Sequence, residues 1–165
     1  MIKSIMLALL IFFPHSSFAL ESMKVNSPGD LDVTIFITDS PQFIEEWVGT
    51  PASHAPIITK INKAKFNQMV HAGFAITGYS RLNQEVDFVV SVQVTSPVGS
   101  VLLNEKKWAV HKQKVLGDKG IIIADPILDM TFETSDPAGN YTIAATVTDN
   151  ISGKRVSNST ILKIY

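Results

Sequence analysis

Histidine, serine, carboxylate and asparagine side chains carry whatever chemistry this sequence can do, because it has no cysteine to act as nucleophile or thiolate ligand. His15 lies near the N-terminus. His54, His71 and His111 are far apart in the chain, and none has a second histidine or acid at short metal-ligand spacing. His71 sits among Val70 and Phe74 and reads as a histidine of a core or strand edge rather than a base. No serine occupies a Gly-x-Ser-x-Gly elbow, and no glycine-rich loop ends in Lys-Ser or Lys-Thr to cradle a phosphate. Glu45-Glu46 reads as the wet side of a short helix. Asp125 and Asp129 flank Pro126 and could at most join Asp136 around a loop calcium, at a spacing sparser than calcium loops use. The Asn-x-Ser/Thr triplets at Asn140, Asn150 and Asn158 would accept glycans in a eukaryotic secreted protein. Turn and strand-face composition accounts for them more simply. The residues therefore predict no catalytic site, no cofactor and no metal centre.

The N-terminus has the three parts of an export signal: a basic start at Lys3, an apolar run from Ile5 to Phe13, and small residues at Ser17 and Ala19. The run is about nine residues, against the roughly 20 that a bilayer-spanning helix needs. Cleavage after Ala19 is expected, with no membrane span in the remainder, and the lack of cysteine excludes lipid attachment at one. Residues 1–19 thus read as a signal peptide, 20–30 as a flexible leader and 31–165 as one domain. An exported domain without disulfides fits a bacterial periplasm better than an animal secretion, so the expected location is periplasmic or secreted.

Net charge is −1, and −2 once Lys3 leaves with the signal. The densest basic group is Lys60, Lys63 and Lys65, far from the stripe that neutralises several phosphates. No nucleic-acid partner is expected.

Two-residue alternation dominates the rest. Val33, Ile35 and Ile37 alternate with polar residues, as do Val86, Phe88, Val90, Val92 and Val94. Leu128, Met130 and Phe132 repeat the pattern, and so do Tyr141, Ile143, Ala145 and Val147. Such runs are strands with one face on a core. Further strands are expected at 57–64, 68–77, 101–107, 121–124 and 156–164, giving eight or nine in all. One short helix interrupts them: Asp39-Ser40-Pro41 supplies an N-cap and a proline for its first turn, and Gly49 and Pro51 stop it. Trp47 is its expected anchor, plugging an open end of a sandwich.

Asp136, Gly139 and Tyr141, with Ile143 two residues on, resemble the tyrosine corner of immunoglobulin-like and fibronectin-type domains. The resemblance is specific over about the last forty residues and implies an all-β, immunoglobulin-like antiparallel β-sandwich of about eight strands, with one short helix after the first strand. It implies that the Tyr141 hydroxyl bonds back to the backbone, and that Ile143 fills the place of a disulfide cysteine. The whole pattern is also similar to uncharacterised exported proteins of proteobacteria, a likeness that implies no activity.

The expected function is a non-catalytic binding or assembly module whose partner is another envelope or secreted protein. Contact would run through residues 49–56, with His54, through residues 108–120, with Trp108, His111 and Lys112, or through an exposed edge strand. The alternatives are a small-ligand carrier or hydrolase, with a pocket between the sheets or under the helix, and an accessory chaperone for exported subunits. Expression of the full chain in a bacterium with an intact export pathway should yield a periplasmic product beginning at Leu20. N-terminal sequencing and intact mass read this directly, and a retained N-terminus would refute cleavage.

Overall fold

Strong period-two patterning in a chain with few helix formers leaves sheet pairing as the way to satisfy backbone groups while burying valine, isoleucine and phenylalanine. A computed structural model describes residues 29–49, 58–115 and 120–165. The signal peptide, most of the leader and His54 lie outside the described residues. The elements are β1 (Asp32–Thr38), α1 (Phe43–Gly49), β2 (Lys63–Ala64), β3 (Met69–Thr77), β4 (Glu85–Thr95) and β5 (Val101–Lys114). There follow β6 (Ile121–Ile123), β7 (Leu128–Thr131), β8 (Gly139–Asp149) and β9 (Arg155–Ile164). The chain is an immunoglobulin-like β-sandwich, as the alternation and the tyrosine corner predict.

One sheet is built around β3, which pairs with β1 along one edge and with β7 and then β6 along the other. The second sheet runs β2-β9-β8-β4-β5, antiparallel except for a two-residue parallel pair between β2 and β9. Between the sheets lie Val33 and Ile37, Phe74 and Ile76, the five alternating residues Val86 to Val94 of β4, and Tyr141, Ile143 and Val147 of β8. Each fully buried side chain of this size contributes about 1.5–3 kcal/mol, so β4 and β8, walled on both sides by paired strands, are the axis of the core.

The terminal corner matches its sequence reading. The Tyr141 hydroxyl donates to the Pro137 carbonyl at 2.8 Å, and its ring packs on Phe132 with centroids 4.3 Å apart. Burial raises the Tyr141 pKa and the Asp136 carboxylate adds to that rise, so the hydroxyl stays a donor. Asp136 accepts the Glu133 N–H at 2.8 Å, closing the turn that precedes the corner. Gly139 takes φ 135°, in a region suited to glycine, with the Pro97 side chain 3.0 Å from where a Cβ would stand.

The helix departs from expectation. Alternation along β1 places Phe36 on the face opposite Val33 and Ile37, yet Phe36 is only 4% exposed. Phe43 of α1 explains this: its ring meets Phe36 edge-on at 5.5 Å and lies 6.3 Å from the His71 ring. Thus α1 lies on the outer face of the β3 sheet and does not plug the end of the sandwich. Gly73 makes the seat, because the Phe36 ring lies against the space a Cβ would need. The anchor is Phe43, 1% exposed, rather than Trp47, which is half-buried one turn further along.

Two of the glycan-type asparagines serve the fold. Asn158 Nδ2 donates to the Val33 carbonyl at 2.9 Å, tying β9 to the edge strand of the other sheet, and Asn150 Nδ2 donates to Asp87 at 2.6 Å. Asp149 is the most heavily bonded buried carboxylate described. It accepts the Ser80 and Ile151 N–H groups at 2.8 and 2.9 Å and the Ser152 hydroxyl at 2.8 Å. Burial pushes its pKa up, but the bonds from Ser80, Ser152 and Ile151 outweigh it and hold the carboxyl below its ordinary 3.8. The contribution is complete above that ordinary value and is lost as pH falls through the lower folded value. Asp149→Asn, which sets an NH2 against donors, should cost about 3 kcal/mol at neutral pH. It should also flatten the acid limb of stability in denaturant titrations from pH 7 to 2.

Candidate functional site

The expected binding loop at 108–120 is mostly strand. β5 continues to Lys114 because β4 keeps offering partners beyond the point where the alternation of β5 breaks: Val90 faces Ala109, Phe88 faces His111 and Glu85 faces Lys114. The break is a bulge. Val90 pairs with Ala109 and Val92 with Glu105, so Lys106, Lys107 and Trp108 together stand opposite Ser91.

The bulge turns Trp108 towards the opposite sheet, where its indole N–H donates to the Pro126 carbonyl at 2.7 Å. Three residues on, the His111 ring stacks on Phe88 at 4.8 Å, and its Nε2 accepts the Asp125 N–H at 3.2 Å. Two residues expected to bind a partner thus stitch β5 to the β6–β7 connection, closing a flank that has no backbone ladder. Burial lowers the His111 pKa, only partly offset by the Asp125 carboxylate, which favours the neutral ring. Lys112 stands apart on the outer face, 3.4 Å from Asp87.

Beside this seam lies a cavity of about 600 Å³, within the usual range for small-ligand sites. Its walls come from three places: Phe43, Ile44 and Trp47 of α1, the end of β5 through Val115, and the stretch from β6 to Ile127. Its position follows from the docking of α1. With Phe43 seated against Phe36 and His71, Ile44 and Trp47 overhang β6, whose three consecutive isoleucines offer apolar side chains to both faces of the sheet edge. Polar groups reach the cavity at Asp125, Gln113 and Lys114. The sequence reading names a pocket under the helix as an alternative, but not its walls at the end of β5 and along β6, because no single segment contains them.

The remaining candidates scatter. Asp129 is bonded to His71 Nδ1 at 2.6 Å across the β3–β7 pair, and Asp136 serves its turn, so the three acids once grouped around calcium point to separate tasks. No group of three metal-ligating side chains occurs among the described residues. No described helix is long and apolar enough to cross a membrane.

No family model matches this chain and no curated protein matches its sequence, so the likeness to proteobacterial exported proteins gains no support from either comparison. Among solved structures, a Niemann-Pick type C2 protein from Japanese carpenter ant is 12% identical, with a TM-score of 0.39 over 81% of this chain and 89% of that one. Spo0M, a sporulation control protein from Bacillus subtilis, is 9% identical, with a TM-score of 0.44 over 82% of this chain and 49% of that one. A family 123 glycoside hydrolase from Clostridium perfringens is 8% identical, with a TM-score of 0.40, and this chain spans 27% of its length.

His111 gives the seam a signed pH dependence. A histidine whose folded pKa is lowered contributes stability that is complete above its ordinary 6.5 and declines as pH falls below it. Protonation also removes the acceptor for the Asp125 N–H. The protein should unfold at lower denaturant at pH 5.5 than at pH 7.5, and His111→Gln, which keeps an acceptor, should shrink that difference. Equal differences in both proteins would remove His111 as the cause.

Proposed function

We propose that this protein is an exported, non-catalytic binding module that takes a small, largely apolar ligand in the pocket beneath α1. The pocket itself carries the reading: about 600 Å³ walled by Phe43, Ile44, Trp47, Val115 and the β6 isoleucines. Export rests on the N-terminal signal pattern. The non-catalytic part is supported by the commitment of nearby polar groups to the fold, His111 to the Asp125 N–H and His71 to Asp129. Such groups lack the convergence on one reacting atom that catalysis needs.

Edge-strand pairing is the weaker form of a binding role here. β5 is the long free edge of its sheet, but the bulge interrupts it and Lys106 and Lys107 stand exposed at the break. Bulges and edge lysines are devices that discourage strand addition.

The uncharged fluorophore N-phenyl-1-naphthylamine should bind saturably, near one per chain, with energy transfer from tryptophan. Ile44→Glu puts a charge on the apolar wall from a helix position already 43% exposed, so folding should survive. Binding should weaken more than about tenfold, as the cost of burying a charge beside apolar surface requires. Non-saturable binding, or indifference to Ile44→Glu, would defeat the pocket as a ligand site.

A further inference from the structure

Resting on the pocket reading above, we infer that the ligand is an amphipathic cation, whose apolar body lies along α1 and β6 and whose positive group, such as a protonated amine, meets Asp125. Three observations on the pocket wall converge on this charge. Asp125 lines the cavity, and among the described residues no hydrogen bond or ion pair occupies its carboxylate. Its backbone, by contrast, is held, since the N–H bonds to His111 and the adjoining Pro126 carbonyl takes the Trp108 indole. The acid therefore sits on a fixed stretch of chain at the edge of an apolar chamber. Asp125 is itself exposed, so its carboxylate can meet a cationic head at the mouth of the chamber while the apolar body lies within.

The aromatic content of the wall points the same way. Trp47, half-buried, lines the cavity, and an aromatic face attracts cations through its quadrupole, tryptophan most strongly. The nearest histidine adds no competing positive charge while burial keeps it neutral. The one cation on the wall is Lys114, at the exposed end of β5, whose long side chain can turn into water. An anionic head would have to draw Lys114 inward while lying near Asp125. A cationic head leaves Lys114 in solvent.

The test displaces N-phenyl-1-naphthylamine with three probes of one chain length at pH 7: n-decylamine, n-decanol and n-decanoate. Decylamine should displace it at about one-fifth of the decanol concentration, equivalent to about 1 kcal/mol, with decanoate weakest. Asp125→Asn keeps the backbone N–H and should bring decylamine to the level of decanol while leaving decanol unchanged. An unaltered melting temperature shows that the variant is folded. If decanol displaces the fluorophore but decylamine does no better, or decanoate does best, the cationic assignment is wrong and the pocket stands. If no probe displaces it, the pocket reading fails and this inference with it.

Discussion

The strand β3 is buried on both faces over its first half, and most of the molecule's particular features follow from covering those two faces at once. Its inner residues Val70, Ala72, Phe74 and Ile76 meet the second sheet, as in any sandwich. Its outer residues His71 and Gly73 are equally dry. An outer face left to water would need no helix. Phe36 folds across Gly73 and leaves apolar surface beside His71, and α1 closes it through Phe43. Seating that one residue fixes the rest of the helix, so Ile44 and Trp47 overhang β6 and a chamber is formed where helix, sheet edge and the end of β5 meet.

The polar side chains are distributed to a different end. Most of those that bond lie where the chain turns or where the two sheets must be joined without a ladder, His71 with Asp129 inside the β3–β7 pair being a departure. Asp149 organises the β8–β9 turn and the Ser80 backbone, Tyr141 and Asp136 the terminal corner, Asn158 the β1 edge, and Trp108 and His111 the β5 flank. A buried donor or acceptor left without a partner costs about 1–3 kcal/mol, so residues used this way are poorly placed to do chemistry as well. Beside the pocket, the Asp125 backbone N–H is used, while no bond to its exposed carboxylate occurs among the described residues.

Legibility in the sequence tracked how local each feature is. Alternation in β4 and β8 located the core strands, because a period of two projects onto burial whenever one face is covered. The corner at Asp136, Gly139 and Tyr141 was readable because its bond spans only four residues. The strand at 101–114 was cut short at 107 because the Lys106–Trp108 bulge breaks the alternation, and only the partner strand shows that pairing resumes. Trp47 and Phe43 stand one turn apart on the helix, so periodicity alone does not separate them as anchors. Which of them is buried depends on the surface that Phe36 of β1, laid over Gly73, and His71 of β3 create together.

The sequence by itself determined the fold class, the corner, the absence of thiol chemistry and the expectation of export, all properties of short windows or of composition. Tertiary structure alone decided where α1 lies, what Trp108 and His111 hold, and that a chamber exists at all. Those depend on contacts between segments far apart in the chain: Trp108 with Pro126, Phe43 with His71, Asn158 with Val33. Side-chain periodicity reports which face of a segment is dry. It carries no information on which distant segment makes it so, and the pocket is a product of that choice.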